Sequence, residues 1–239
     1  IGNKLVKISG IAKGSGMIMP NMATMLSFIF TDANIPSVFL KSILKKVSST
    51  TFNAITVDGD TSTNDMVSIF ATAKAKNSKI YNVLDPKLVE FEKALHRLSL
   101  NLAKQIVVDG EGAKKFITIN VINAKSVSMA KNIGFSIANS PLFKTAIAGE
   151  DPNWGRIVMA IGKTGENITA SKVQIKFGNH LLTDQGAAAK NYNEKEVKEY
   201  MTSSSIDLEV NLNIGNAQFS VYTCDFTHDY IDINADYRN

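Results

Sequence analysis

A small residue followed by threonine stands where a glycine-bearing stretch gives way to an apolar segment. Residues 13–18 read KGSGMI, and the pair Ala23-Thr24 leads directly into the apolar run Met25–Phe30. A threonine hydroxyl at such a junction can attack the preceding carbonyl, and the small Ala23 leaves room for that strained geometry. Cleavage would free the Thr24 α-amine, whose ordinary pKa of about 8 lets it act as general base for its own hydroxyl. Because Ala-Thr before a strand is also common in ordinary folds, the pair alone makes Thr24 only a candidate nucleophile.

The other motifs that could carry chemistry are incomplete. Residues 162–164 (GKT) end like a phosphate-binding P-loop, but the glycine required five positions earlier is Ile157. No G-x-S-x-G nucleophile elbow occurs in the sequence. The histidines lie far apart without metal-ligand spacing, so no metal site is expected: His96, His180 and His228.

Composition and charge are those of an ordinary folded protein. The 239 residues include 26 Lys+Arg and 22 Asp+Glu, giving a net charge of +4, with 44% hydrophobic residues. These values exclude a disordered or collagen-like chain. Only three basic residues are arginine and the lysines are scattered, so no nucleic-acid partner is expected. No apolar run reaches the length of about 18 residues that a membrane helix needs, so no membrane association is expected.

The single cysteine gives information about the redox state of the compartment in which the protein works. Cys224 excludes an intramolecular disulfide and a Cys-cluster zinc site. Its β-rich, apolar neighbourhood favours a core position over a role as nucleophile. A reducing compartment, the cytoplasm, fits this cysteine usage.

Hydrophobic periodicity predicts strands and helices that alternate along the chain. The pattern favours a layered α/β fold with mixed sheets, because such helices must cover sheet faces. One strand ends and a helix begins near residue 125, so we expect two parts that span residues 24–125 and 126–239. Strands are predicted at Met25–Phe30, Met66–Thr72, Lys115–Ala124, Gly155–Gly162 and Lys172–Phe177, then as a hairpin of Ile206–Ile214 with Ala217–Cys224, and in extended form over Phe226–Ala235. Helices are predicted from Pro36, from Pro86, over Val127–Ala138 and over Asn193–Met201.

Five sequence blocks extend in order across nearly the whole chain. They are Gly10–Phe28 (GIAKGSGMIMPNMATMLSF), Asp58–Asp65 (DGDTSTND), Asp109–Lys115 (DGEGAKK), Gly149–Arg156 (GEDPNWGR) and Ile233–Tyr237 (INADY). Together they resemble the ornithine acetyltransferase family, the glutamate N-acetyltransferases of arginine biosynthesis. The third block departs slightly from the family's usual D-G-E-G-A-T-K. Five ordered blocks make the resemblance far more specific than any single motif.

The resemblance implies an autocleaved acetyltransferase. Residues 1–23 would end an α chain, the cut would fall between Ala23 and Thr24, and Thr24 would begin the β chain as the nucleophile. The acetyl group of N2-acetyl-L-ornithine would pass through an acetyl-Thr24 ester to L-glutamate in a ping-pong reaction, with acetyl-CoA left open as a second donor. No metal and no organic cofactor are implied. The α and β chains would form an α2β2 assembly, with the layered fold that the family shares with autoprocessed aminopeptidases.

Four residues correspond to substrate-binding positions of the family besides the nucleophile. Lys13 matches a lysine just before the cut, where its cation would meet the substrate α-carboxylate. Glu111 matches the glutamate of the third block, where its anion would meet the amino group of the ornithine chain. Asn234 matches the asparagine of the last block. Asn239 stands where the family usually has Thr or Ser, so its reach toward substrate differs.

Two alternatives remain beside the transferase. An aminopeptidase-like autoprocessed hydrolase has a similar architecture, but the set Lys13, Glu111 and Asn234 disfavours it. Family members also carry a longer part before the processing site, which supplies a Thr-Gly oxyanion hole. The 239 residues expressed alone are therefore expected to be inactive in transfer, and the second alternative is a fragment that only binds.

Two blocks have structural interpretations. Asp58–Asp65 is predicted to be a loop of hydrogen-bonded Asx and Ser/Thr turns. Residues 151–156 are predicted to form an anchored turn, with Trp154 buried and Arg156 paired to a carboxylate. Neither block is assigned a catalytic role.

Overall fold

The structure, a computed structural model, describes residues 1–19, 25–61 and 66–236. Within these residues the chain forms an α/β fold with two mixed sheets, as the sequence predicts. The strands are β1 (Ile8–Lys13), β2 (Leu26–Thr31), β3 (Met66–Ala71), β4 (Phe116–Ala124), β5 (Gln174–Phe177), β6 (His180–Asp184), β7 (Ala187–Ala188), β8 (Ser205–Asn211) and β9 (Ala217–Cys224). The helices are α1 (Ser37–Ser48), α2 (Val89–Val108), α3 (Val127–Ala138), α4 (Pro141–Ala148), α5 (Trp154–Gly162), α6 (Glu194–Met201) and α7 (His228–Ala235).

The chain divides into two compact units. The first comprises residues 1–55 and 59–106, and the second comprises residues 56–58 and 107–239. The sequence places a division near residue 125 instead. The two positions differ because β4 is an inner strand of the second unit's sheet, paired on its two edges with the later strands β8 and β9.

The first unit contains a three-stranded sheet in the order β1-β2-β3. Strand β2 pairs antiparallel with β1 and parallel with β3. Alternate residues of β2 are buried, namely Ser27, Ile29 and Thr31, as the two-residue period of a strand requires. A Cβ atom on Gly10 of β1 would lie 3.1 Å from the Leu102 side chain of α2. Glycine at this position therefore lets α2 approach the sheet closely.

Both helices predicted in the first unit are confirmed. Helix α1 begins directly after Pro36 and buries a stripe that includes Leu40, Ile43 and Val47. Helix α2 follows a 3-10 turn over Pro86–Leu88. The sequence does not predict β1, because its glycine interrupts the alternation and its pairing with β2 depends on residues farther along the chain.

The second unit contains a six-stranded sheet in the order β7-β6-β5-β8-β4-β9. The predicted strand at residues 115–124 is confirmed as β4, whose alternate residues Ile117, Ile119 and Val121 are fully buried. Helix α3 packs on this sheet. A Cβ atom on Gly134 of α3 would lie only 2.8 Å from the Val221 side chain of β9. The glycine therefore permits a close contact between the helix and the sheet.

The predicted hairpin of Ile206–Ile214 with Ala217–Cys224 is wrong. Both segments are strands, but β4 lies between them, parallel to β8 and antiparallel to β9. The connection crosses the end of β4, where the Leu212 amide donates to the Ile122 carbonyl at 3.1 Å. Each strand thus pairs with one edge of β4 instead of with its neighbour in sequence.

Two segments predicted as extended are helical. Gly155–Gly162 lies in α5, and most of Phe226–Ala235 lies in α7. The Asn153 side chain caps the N-terminus of α5, and Ile157 and Ile161 lie on its buried face. A short apolar run does not distinguish a buried strand from a buried helix by periodicity alone. The cap and the one-sided burial identify the helix.

The other predicted helices of this unit are confirmed. Helix α3 has the predicted bounds, with the Ser126 hydroxyl accepting from the Met129 amide at 3.1 Å. Helix α6 begins after Asn193, whose Oδ1 accepts from the Lys195 amide at 3.2 Å. The sequence does not predict α4. None of the helices in the described part of the chain is both long and apolar enough to cross a membrane.

Candidate active site

Two residues that the sequence predicts to bind substrate meet in the second unit. Asn234 of α7 donates through Nδ2 to Oε2 of Glu111 at 2.9 Å. The same Nδ2 donates to the Tyr230 carbonyl at 3.0 Å. Both amide hydrogens of Asn234 are therefore used, and only this orientation of the amide satisfies both acceptors.

The Glu111–Asn234 pair offers acceptors to a ligand. Its remaining polar side-chain atoms are Oε1 of Glu111 and Oδ1 of Asn234, and an ionised carboxylate and an amide carbonyl both accept hydrogen bonds. Asn234 lies in the last turn of α7, where the helix carbonyls add partial negative charge. Glu111 is half-buried and Asn234 is exposed. The arrangement is suited to a primary ammonium group, which is a cation with three donors.

The loop that carries Glu111 is anchored at its end by Asp225. Oδ1 of Asp225 accepts from the backbone amides of Lys114 and Lys115, at 2.8 and 2.9 Å. The Lys114 ammonium in turn lies 2.9 Å from Oδ2 of Asp229. Asp225 is buried, so the two charge-assisted bonds that its carboxylate accepts form with little competition from water. They fix the exit of the loop against the segment that leads into α7.

The middle of the same loop contacts the first turn of α7. Thr227 donates through Oγ1 to the Gly112 carbonyl at 2.7 Å. Gly112 has a φ of +69°, and a Cβ atom there would lie 2.5 Å from the backbone nitrogen of Tyr230. A side chain at this position would therefore be both strained and in collision with the helix backbone. Glycine after Glu111 is needed for the loop to pack on α7.

Asp58, the first residue of the second block, lies beside the same helix. The Tyr230 hydroxyl donates to Oδ2 of Asp58 at 3.4 Å, and its ring packs 4.4 Å from the ring of Phe226. The Thr56 amide donates to the Tyr222 carbonyl at 2.9 Å, which holds the short segment before Asp58 against the end of β9. Residues from the second, third and fifth sequence blocks thus meet around α7.

The fourth block is connected to the third through a buried lysine. The Lys115 ammonium lies 3.1 Å from Oε1 of Glu150, and it donates to the carbonyls of Met201 and Ser203 at 2.8 and 3.2 Å. Lys115 is 8% exposed, so its charge is compensated by three oxygen acceptors rather than by water. This lysine holds the end of the Glu111 loop to the residues before α5 and to the C-terminal end of α6.

The predicted role of the fourth block needs correction. Trp154 is half-buried rather than buried. The Arg156 guanidinium donates to the Leu142 carbonyl at 2.6 Å and to the Thr145 hydroxyl at 3.2 Å, instead of pairing with a carboxylate. The reason is that the segment forms the first turn of α5, which packs beside α4. The helix directs Arg156 to its neighbour's backbone.

A second buried lysine contacts the end of β9, just before the segment that leads into α7. The Lys144 ammonium donates to the Thr223 hydroxyl at 2.9 Å and to the Cys224 carbonyl, and lies 3.8 Å from the Cys224 sulfur. Burial lowers the pKa of Lys144 below its ordinary value. Burial raises the pKa of the Cys224 thiol, an effect that the nearby Lys144 opposes. The predicted core position of Cys224 is confirmed, and the raised pKa disfavours the thiolate that a nucleophile needs.

Of the remaining predicted site residues, one lies in the first unit and the others lie outside the described residues. Lys13 is the last residue of β1 in the first unit, where it is exposed and pairs with Leu26 of β2. Ala23, Thr24 and Asn239 lie outside the described residues. The cleavage site, the nucleophile and the terminal contact therefore stay predictions.

Sequence reasoning missed two residues of this site, Asp225 and Thr227. A hydroxyl residue directly before a helix is a typical N-cap signal, and Thr227 carries it. The signal is hidden because residues 226–235 are predicted as extended. Within residues 1–19, 25–61 and 66–236, no cluster of three or more His, Cys, Asp or Glu residues could hold a metal ion.

Comparison with known proteins gives a consistent set of similarities. The ArgJ family model matches residues 1–239. The arginine biosynthesis bifunctional protein ArgJ of Gluconobacter oxydans is 50% identical over 234 residues, which cover 98% of this chain and 55% of that protein. The protein of the same name from Brucella melitensis is 48% identical over 242 residues, which cover 100% of this chain and 59% of that protein.

A solved structure is similar as well. The crystal structure of arginine biosynthesis bifunctional protein argJ from Bacillus halodurans matches with a TM-score of 0.82 at 40% identity, covering 86% of this chain and 96% of that chain. The curated relatives are longer proteins. This chain spans between 55% and 59% of the length of the two described above.

Proposed function

Because the chain belongs to the ArgJ family, we propose that it takes part in arginine biosynthesis as an acetyltransferase. The acetyl donor is N2-acetyl-L-ornithine and the acceptor is L-glutamate. Thr24 is the nucleophile, freed by cleavage after Ala23, and Lys13, Glu111, Asn234 and Asn239 bind substrate. The relatives contain a portion that these residues do not match, and we expect the donors of the oxyanion hole to come from that portion.

The hydrogen bond between Glu111 and Asn234 is the observation that carries this proposal. The two residues belong to different sequence blocks and are 123 positions apart. The polar side-chain atoms that they leave for a ligand are both acceptors. N2-acetyl-L-ornithine carries a side-chain ammonium group, whereas L-glutamate and simple acyl donors do not. An acceptor pair with one formal negative charge is the recognition element that such a donor requires.

The proposed reaction has two balanced half-reactions. The Thr24 hydroxyl attacks the acetyl carbonyl and its proton passes to the Thr24 α-amine, which acts as general base. The carbon–nitrogen bond of the donor breaks, the proton moves to the leaving nitrogen, and ornithine departs from an acetyl-Thr24 ester. The glutamate amine then attacks the ester carbonyl, and the Thr24 oxygen leaves with a proton. N-Acetylglutamate and the free enzyme result.

The test is a single-turnover experiment on the full-length protein. Incubation with acetyl-labelled N2-acetyl-L-ornithine without glutamate should release one equivalent of ornithine and leave one labelled acetyl group on the peptide that begins at Thr24. Glutamate added afterwards should remove the label as N-acetylglutamate. Thr24→Ala should show neither event, because no hydroxyl remains to accept the acetyl group.

Two other results would contradict the proposal. Continuous release of labelled acetate without glutamate would assign the chain to the hydrolase alternative. Binding of the donor without any release of ornithine from the correctly folded full-length protein would assign it a binding role only.

A further inference from the structure

We propose that Thr227 is a positioning residue that sets the location of Glu111 for recognition of the donor's ammonium group. The inference rests on the proposed function and names a residue outside the predicted substrate-binding set. It is drawn from the contacts between the first turn of α7 and the Glu111 loop.

Thr227 occupies the N-cap position of α7 but does not cap the helix. A threonine at this position ordinarily accepts a hydrogen bond from a backbone amide of the first turn. Here its side chain forms no capping bond, and the hydroxyl instead donates to the Gly112 carbonyl at 2.7 Å. The local preference of the residue is therefore overridden by a contact with the loop, as is frequent at functional sites.

The acceptor of this bond belongs to the residue directly after Glu111. Gly112 cannot shift toward the helix, since its α-carbon already lies so close that an added Cβ would be 2.5 Å from the Tyr230 nitrogen. The Thr227 hydroxyl prevents the opposite movement, away from the helix. Together these two contacts hold the backbone that carries the Glu111 side chain.

Helix α7 thus holds Glu111 at two points. Thr227 binds the backbone beside Glu111, and Asn234 binds its carboxylate. The two helix residues are seven positions apart, which corresponds to about two turns and about 10 Å along the helix axis. The spacing of these contacts fixes both the position and the direction of the carboxylate that faces the ligand.

A matched pair of variants separates the hydroxyl from the rest of the side chain. Thr227→Val removes the donor and keeps the shape, whereas Thr227→Ser keeps the donor and loses a methyl group. We expect Thr227→Val in the full-length protein to lower kcat/KM for N2-acetyl-L-ornithine by about tenfold, mainly through KM, because a displaced carboxylate binds the ammonium less well. Thr227→Ser should retain the kcat/KM of the unmodified protein to within about twofold.

The second half-reaction provides a readout that distinguishes a positioning role of Thr227 from a merely structural one. In a ping-pong reaction, kcat/KM for glutamate reports only the steps after ornithine has left. Glutamate has no side-chain ammonium, so its kcat/KM in Thr227→Val should change by less than about twofold. A general loss of structure would lower both values, because Thr24 acts in both half-reactions.

The kinetics of the Thr227 variants can overturn the inference in several ways. Equal losses for donor and acceptor, or no loss for either, would overturn it, and so would a Thr227→Ser variant as defective as Thr227→Val. If Thr227→Val fails to fold, Thr227→Ala is assayed in its place; if that variant also unfolds, the role is structural and the inference is wrong. A failure of the proposed function looks different, because the unmodified protein itself would then transfer no acetyl group.

Discussion

Glu111 and Asn234 are 123 positions apart in the sequence and are joined by a hydrogen bond of 2.9 Å. The bond uses one of the two amide hydrogens of Asn234, and the Tyr230 carbonyl accepts the other. The polar side-chain atoms that remain for a ligand, Oε1 of Glu111 and Oδ1 of Asn234, form a negatively charged pair of acceptors at the end of a helix. Such a pair selects a ligand by its donors and its positive charge.

The first prediction concerns processing. Intact mass of the full-length protein should show a single cut between Ala23 and Thr24, and Thr24→Ala should remain uncut because it has no hydroxyl to attack the preceding carbonyl. Thr24→Ser should still cleave, since serine supplies the same group. An uncut protein with full transferase activity, or a cut at another bond, would exclude Thr24 as nucleophile.

The second prediction concerns the charge of Glu111. Glu111→Gln removes the negative charge with little change in shape, and a lost charge-assisted contact typically costs about 1.5–3 kcal/mol, or about 10- to 150-fold in kcat/KM for N2-acetyl-L-ornithine. Autocleavage should proceed normally, because it precedes substrate binding. Glu209→Gln, which removes a carboxylate paired with Lys176 on the sheet, is the control and should leave the kinetics unchanged. Identical kinetics in both variants would remove Glu111 from the site.

The third prediction concerns two neighbouring lysines with different surroundings. Lys115→Met should lower the free energy of unfolding by about 3 kcal/mol, because it leaves the carbonyls of Met201 and Ser203 without their buried donor. Lys114→Met is the matched control, and its effect should be small because Lys114 is exposed. Urea unfolding followed by far-UV circular dichroism measures both. Similar losses in the two variants would contradict the buried role of Lys115.

The fourth prediction concerns pH and Cys224. Burial raises the pKa of this thiol in the folded protein, whereas in the unfolded chain it is about 8.5. The folded state therefore keeps its proton where the unfolded state loses it, so the stabilisation is complete below pH of about 8.5 and is lost as the pH rises toward the folded pKa. Relative to Cys224→Ala, the unmodified protein should lose up to about 1.4 kcal/mol of unfolding free energy per pH unit above that value.

Urea unfolding of the two proteins at intervals from neutral to alkaline pH measures the difference. Lys144, whose pKa is lowered by burial, acts in the opposite direction. Because its ammonium lies 3.8 Å from the Cys224 sulfur, the two groups titrate as a pair, and the difference between the two curves reports the loss of the thiol from that pair. Parallel curves would show that the Cys224 thiol ionises alike in the folded and unfolded states.

Most helices and strands can be predicted from the sequence, because a buried face requires apolar residues at a regular spacing along the chain. The spacing of Leu40, Ile43 and Val47 predicts α1, and the alternation along residues 115–124 predicts β4. The segments at Gly155–Gly162 and Phe226–Ala235 are misassigned because a short stretch of apolar residues is compatible with both periods. In the first of these, the helix is identified by its cap and its buried face, which become visible only when the neighbouring elements are in place.

The sequence by itself determined the α/β class, through the spacing of apolar residues, and the family resemblance, through five ordered blocks. The resemblance in turn implies Glu111 and Asn234 as candidates. Only the tertiary structure decided that β4 lies between β8 and β9, and that the Thr227 hydroxyl binds Gly112 instead of capping its own helix. The physical reason is the same in both cases. A strand edge or a hydroxyl forms whichever hydrogen bond the packed chain places within reach, and the competing partner lies about a hundred residues away, beyond any local pattern.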